Sequence, residues 1–140
     1  MEETANMQWT NVTIIETGGM KGKGKEIPRK EFHGKLKAHF NPHSIQSEYG
    51  MTELLSQAYT GKNGLFQEHD SLRILVRELN DPFQNQKYGK PGVLNVLDLA
   101  NIHSCAFIET EDMAVSHGVE GFEVIGRVDN REIRGCNMLA

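Results

Sequence analysis

The sequence predicts a short α/β unit followed by a β-rich layer, α/β to α+β in class, on three observations. A β-branched run near the N-terminus stops at a double glycine. A stretch of helical period follows it and leads into a second strand-like run. Four β-type runs separated by turn residues then occupy the second half.

Val-Thr-Ile-Ile-Glu at 12–16 stops at Thr17-Gly18-Gly19, as a buried strand does when it delivers its C-terminal end into a loop. Ligands of open α/β sheets bind at such ends. Glycine alternates with lysine over 21–25, a solvated loop, and Pro28 offers a helix start. Phe32, Leu36 and Phe40 recur on one face, so 29–40 reads as an amphipathic helix ended by Asn41-Pro42. Residues 44–48 form a second strand running into Tyr49-Gly50, and strand, helix and strand make a parallel-sheet unit. Residues 54–59 supply one or two helical turns before the Gly/Asn/Lys cluster at 60–64. The β-type runs of the second half are 72–78, 92–99, 106–110 and 122–127, broken by Asn80-Asp81-Pro82 and Lys90-Pro91-Gly92. The expected division is an α/β portion over 1–64, a β-rich portion over 65–129 and a tail over 130–140.

With 140 residues the chain fits one modest domain, small for an enzyme that must enclose two substrates. A formal charge of -4 gives no overall basic field for nucleic acid, although Lys21, Lys23, Lys25, Arg29 and Lys30 form a local cluster without interleaved aromatics. Two cysteines, Cys105 and Cys136, are too few for a disulfide framework. The polar start at 1–8 is no signal peptide, and no apolar stretch approaches the ~20 residues of a membrane span. The chain reads as cytoplasmic, with free thiols. The six histidines match no compact metal-ligand spacing. Cys105, inside an apolar β run, is assigned to core packing.

Chemistry concentrates at Tyr49-Gly50-Met51-Thr52-Glu53. Delivered at one strand end, the ring can stack on a base, the glycine lets backbone approach a ligand, the hydroxyl can bond a phosphate oxygen and the carboxylate can hold Mg²⁺. Taken alone, the pentapeptide also fits an ordinary turn with Tyr49 packed and Glu53 as a first-turn helix charge. Thr110-Glu111-Asp112 ends a β run, where Asp112 can accept from two ribose hydroxyls. In Gly126-Arg127-Val128-Asp129, Arg127 ends another strand as a donor fork for ribose or phosphate. Solvated surface charges are the ordinary alternative for both.

In this order, Gly18-Gly19, Tyr49-Gly50-Met51-Thr52-Glu53, Thr110-Glu111-Asp112 and Gly126-Arg127-Val128-Asp129 resemble the acyl-adenylate-forming superfamily. A narrower likeness covers most of the chain. Glu16-Thr17-Gly18-Gly19-Met20-Lys21-Gly22, Asp98-Leu99-Ala100-Asn101, the Thr-Glu-Asp variant and Arg134-Gly135-Cys136-Asn137 resemble the acyl-protein synthetases of the LuxE type.

The resemblance implies the C-terminal part of an adenylate-forming large domain, using ATP/AMP and Mg²⁺. Gly18 and Gly19 would then face adenine and Tyr49 would stack on it, with Gly50 and Met51 in the same nucleotide-binding segment. Thr52 would bind the phosphate or acyl carbonyl, Glu53 the metal, and Asp112 and Arg127 the ribose. It further implies activation of a fatty acid as acyl-AMP and transfer to a cysteine near the C-terminus, the position that Cys136 holds. Arg131 and Arg134 lie close enough in sequence to favour the thiolate, although a buried packing cysteine is the alternative on residue type alone.

The glycine- and Ser/Thr-rich phosphate loop of the superfamily belongs upstream of Val12, and residues 1–11 carry nothing like it. The expectation is therefore a portion of a longer ligase, acting with an N-terminal half or with an acyl-accepting reductase partner. The competing expectation is a catalytically inert nucleotide-binding or interaction domain. Within the superfamily, an aryl- or acyl-CoA ligase-like protein is the further alternative.

Overall fold

The computed structural model describes residues 8–17 and 27–128. Gly18, Gly19, the lysine–glycine loop, Asp129 and the tail with Cys136 lie outside the described residues.

The first sheet contains β1 (Thr13–Thr17), β2 (Ser44–Tyr49) and β3 (Ala58–Tyr59), in that order. β1 and β2 run parallel, with Thr13 opposite Ser44 and Glu16 opposite Ser47. The segment that joins them contains helix α1 (Arg29–Phe40), so the strand–helix–strand unit has formed as its sequence predicts. Asn41 ends the helix in the left-handed conformation at φ 45, and its N–H donates to Lys37 O at 2.9 Å. Pro42 then prevents continuation.

The helix face differs from the expected one. Arg29, His33, Leu36 and Phe40 are the partly covered positions, whereas Phe32 is 37 % exposed. His33 takes the inward position because its ring meets Glu16 Oε1 and Ser47 Oγ, both at 3.3 Å, on paired strands beneath it. A polar anchor to the sheet thus sets the helix rotation, and the Phe32 ring is left at the surface.

The expected helical turns at 54–59 are absent. Residues 51–57 form an irregular turn, and β3 returns antiparallel to β2 with Tyr49 opposite Ala58. The amides of Leu55 and Ser56 donate to the Asp98 carboxylate, so they are unavailable to a helix, and Ala58 is fully buried as a strand residue.

The second sheet is antiparallel in the order β4 (Leu72–Arg77), β5 (Pro91–Asp98), β6 (Phe107–Ser116) and β7 (Phe122–Arg127). On β4, Leu72, Ile74 and Val76 alternate inward while Arg73 and Leu75 face out, the period-two signature of a sheet with one covered face. Their side chains join Leu54, Ala58, Phe66, Leu94, Val96, Ala114 and Phe122 in one core shared with the first sheet. Full burial of a side chain such as Phe122 or Leu94 contributes roughly 1.5–3 kcal/mol relative to exposure. Phe66 joins the layers through the backbone as well, donating to and accepting from Phe122 at 2.8 and 2.9 Å.

Gly92 permits the closest strand approach. A Cβ there would lie 2.2 Å from Arg77 O and 2.8 Å from Val76 Cγ1. Only glycine fits without moving the β4 backbone. Cys105 is exposed in the turn before β6, which begins only at Phe107, and is not the core residue expected from its apolar neighbours.

Candidate functional site

Thr110, Glu111 and Asp112 lie inside β6, not at the end of a strand as the sequence suggests. They form a bulge. Val93 pairs with Met113 and Asn95 with Glu109, which leaves these residues opposite Leu94 alone. Thr110 Oγ1 fixes the bulge by donating to Leu94 O at 2.7 Å and accepting from Asp112 N at 3.0 Å. An irregular stretch thus takes Asp112 out of the β5–β6 ladder. The signal was faint in sequence, because β-branched Ile108 and Thr110 continue a strand pattern while Glu111 and Asp112 interrupt it.

Tyr49, the last residue of β2, donates its hydroxyl to Asp112 Oδ2 at 2.8 Å. The Tyr49 ring meets Phe122 edge-on at 6.1 Å and Phe66 at 6.0 Å between centroids, on the margin of the core. Burial first, and then the bond and negative charge of Asp112, push its phenol well above the ordinary tyrosine value. It therefore stays a fixed donor at neutral pH.

Arg127 pairs opposite Asp112 across β6 and β7. Its Nε lies 3.5 Å from Asp112 Oδ1 and its Nη2 lies 3.6 Å from Glu111 Oε2. The side chain of Asp112 is 18 % exposed and that of Arg127 is 74 % exposed, so the guanidinium is the solvent-facing member. A second bulge at Ile125 offsets β7 against β6 just before this pair, and Gly126 takes φ 154 there. Tyr49, Asp112 and Arg127 thus form one connected group drawn from both sheets.

Gly50, Met51, Thr52 and Glu53 continue directly from Tyr49. Met51 packs against the core, while Gly50, Thr52 and Glu53 are exposed in the turn. Among the described residues no group of three or more His, Cys, Asp or Glu side chains is placed to hold a metal. A lone outward carboxylate still suits Mg²⁺, which binds through one or two carboxylates and completes its shell with waters and substrate phosphates.

Two residues quoted only as part of a resemblance have a defined structural task. Asp98 is fully buried. Its Oδ2 accepts from Leu55 N at 2.7 Å and Ser56 N at 2.9 Å, and its Oδ1 from Ser56 Oγ at 2.7 Å and Ala100 N at 3.1 Å. Burial opposes ionisation, but these donors prevail and hold the carboxyl below its ordinary value. Asn101 Nδ2 donates to Glu53 O at 2.7 Å and to Cys105 O at 3.1 Å. An acid and an amide three residues apart were the only sequence signal.

The family model for acyl-protein synthetase, LuxE, matches residues 5–139, nearly the whole chain. No curated protein matches at a significant level. Among solved structures, a long-chain-fatty-acid-CoA ligase from Archaeoglobus fulgidus is similar at TM-score 0.61 and 16% identity, over 98% of this chain and 33% of that one. ATP-bound MatB from Rhodopseudomonas palustris is similar at TM-score 0.60 and 14% identity, over 81% and 25% of the two chains. The luciferase-like enzyme of the nonluminescent Zophobas morio mealworm gives TM-score 0.58 and 15% identity, over 83% and 32%. The chain spans about a quarter to a third of the length of these structures. Such identities establish the fold alone, which this chain shares with a part of each of these structures. Because that family model matches nearly the whole of its sequence, the chain belongs to the acyl-protein synthetase, LuxE, family.

Proposed function

We propose that this chain is the C-terminal part of an ATP-dependent acyl-protein ligase that activates a fatty acid as acyl-AMP and passes the acyl group to the Cys136 thiol. The observation that carries the reading is the connected group of Tyr49, Asp112 and Arg127, next in the chain to the exposed Thr52 and Glu53. Membership in the family supplies the acyl substrate class, and the fold shared with ATP-bound MatB favours ATP as the activating nucleotide.

Asp112 binds the ribose hydroxyls, with Arg127 beside it as a second polar contact that can reach sugar or phosphate. Tyr49 orients Asp112 through its hydroxyl and offers its ring to adenine, together with Gly18 and Gly19. Gly50 and Met51 form the close backbone of the nucleotide pocket. Thr52 donates to the α-phosphate or to the acyl carbonyl. Glu53 would hold Mg²⁺, which supplies charge stabilisation to the phosphates when bound.

In the first half-reaction the fatty carboxylate oxygen attacks the α-phosphorus, a P–O bond forms, and pyrophosphate leaves. In the second the Cys136 thiolate attacks the acyl carbonyl, a C–S bond forms, and AMP leaves with the electrons of the broken C–O bond. A reductase that consumes the thioester is the partner class that this chemistry fits.

The test uses the full-length enzyme that contains this chain. Cys136→Ser should keep fatty-acid-dependent pyrophosphate release and lose the hydroxylamine-labile acyl label, while Cys105→Ser should keep both. Persistence of the label in Cys136→Ser, or its loss in Cys105→Ser, contradicts the acceptor assignment.

A further inference from the structure

We propose that Asp98 and Asn101 are positioning residues, a clasp that grips the 53–56 turn from behind and sets where Glu53 and Thr52 present their side chains. This inference rests on the role given above to Glu53. Asp98 is an expensive residue to bury, because it forms no ion pair among the described residues and must be satisfied by hydrogen bonds alone. Only the bond from Ala100 N serves its own 3₁₀ turn, Leu99–Asn101; the other three come from Leu55 and Ser56.

Asn101 grips the opposite side of the same turn. It is 7% exposed, and its amide holds the Glu53 carbonyl at 2.7 Å. Leu54 anchors the middle in the core at 5% exposure. The backbone from the Glu53 carbonyl to Ser56 is therefore fixed by β5 and its 3₁₀ extension, while the Thr52 and Glu53 side chains have no hydrogen bond or ion pair among the described residues. A turn held this firmly with its polar side chains left free is suited to presenting them to a ligand, because supporting contacts fix first-contact groups to within fractions of an ångström. If the clasp served stability alone, an apolar pair packed against Leu54 would achieve the same burial without a desolvated carboxylate.

Mn²⁺ binding to the ATP complex of the full-length enzyme, read by electron paramagnetic resonance, tests the clasp without relying on turnover. Glu53→Gln and Asp98→Asn should each weaken Mn²⁺ by about 10–100-fold, the range seen for ligands and their supporting groups. The double variant should be no weaker than Glu53→Gln, because both act through one group. ATP affinity without metal should stay within about two-fold in each, since the ribose contacts are untouched.

Asp98→Asn with wild-type Mn²⁺ affinity, or a double variant in which the losses multiply, overturns the clasp while leaving the Glu53 reading intact. Glu53→Gln with wild-type Mn²⁺ affinity overturns the Glu53 reading, and the clasp with it. If Asp98→Asn does not fold, Asn101→Ser, which keeps the Asp98 network, should still weaken Mn²⁺ several-fold, and no change there overturns the proposal.

Discussion

The Tyr49 hydroxyl donates to Asp112 at 2.8 Å and so ties the end of β2 in one sheet to the bulge of β6 in the other. The Asp112 side chain is 18 % exposed, so removing the phenol leaves a largely covered carboxylate short of one donor. Tyr49→Phe should cost about 1–3 kcal/mol in urea unfolding, the usual penalty for stranding such a group. It should also weaken AMP binding to the full-length enzyme. Unchanged stability would mean that solvent replaces the phenol at no loss.

Two groups set opposite limits on the pH range of stability. Tyr49 titrates above its unfolded value of about 10, so its contribution is complete below that pH and is lost as the pH rises through the folded value. Asp98 titrates below its unfolded value of about 3.9, so its contribution is present above that pH and is lost as the pH falls through the folded value. Urea midpoints measured across pH should fall at both ends. Tyr49→Phe should flatten the alkaline decline and Asp98→Asn the acid decline; an unaltered profile in either variant contradicts the corresponding assignment.

Gly92 and Gly34 should respond oppositely to alanine. At Gly92 the added methyl would sit 2.2 Å from a backbone oxygen of β4, so the paired strands must separate, at a cost of about 1–3 kcal/mol or more. At Gly34, inside α1, nothing lies within 4 Å of the added methyl, and alanine should stabilise by roughly 0.5–1 kcal/mol through helix propensity. Thermal melting of the two variants checks both signs.

The sequence made helix 29–40 legible because proline and an Asn-Pro pair bound it, and strand 122–127 legible because its β-branched and aromatic run is short and isolated. Position on an element was harder to read than the element itself. The helix rotation depends on His33 meeting Glu16 and Ser47, a contact across strands that periodicity of apolar residues does not register. Residues 54–59 look helical in sequence because Leu54-Leu55 is a good helix pair, and what prevents a helix is a carboxylate more than 40 residues downstream at Asp98. The same distance hid the tasks of Asp98 and Asn101. The Asp112 bulge was hidden because the extra residues of a bulged strand leave almost no composition signal.

The most direct test of the account is a crystal structure of the full-length enzyme with an acyl-sulfamoyl adenosine, a stable mimic of acyl-AMP. The expected result places the ribose hydroxyls within hydrogen-bond distance of Asp112, with Arg127 beside the same ligand and Thr52 and Glu53 toward its sulfamoyl group. A ligand bound elsewhere, with Asp112 and Arg127 engaged only with each other, would contradict it.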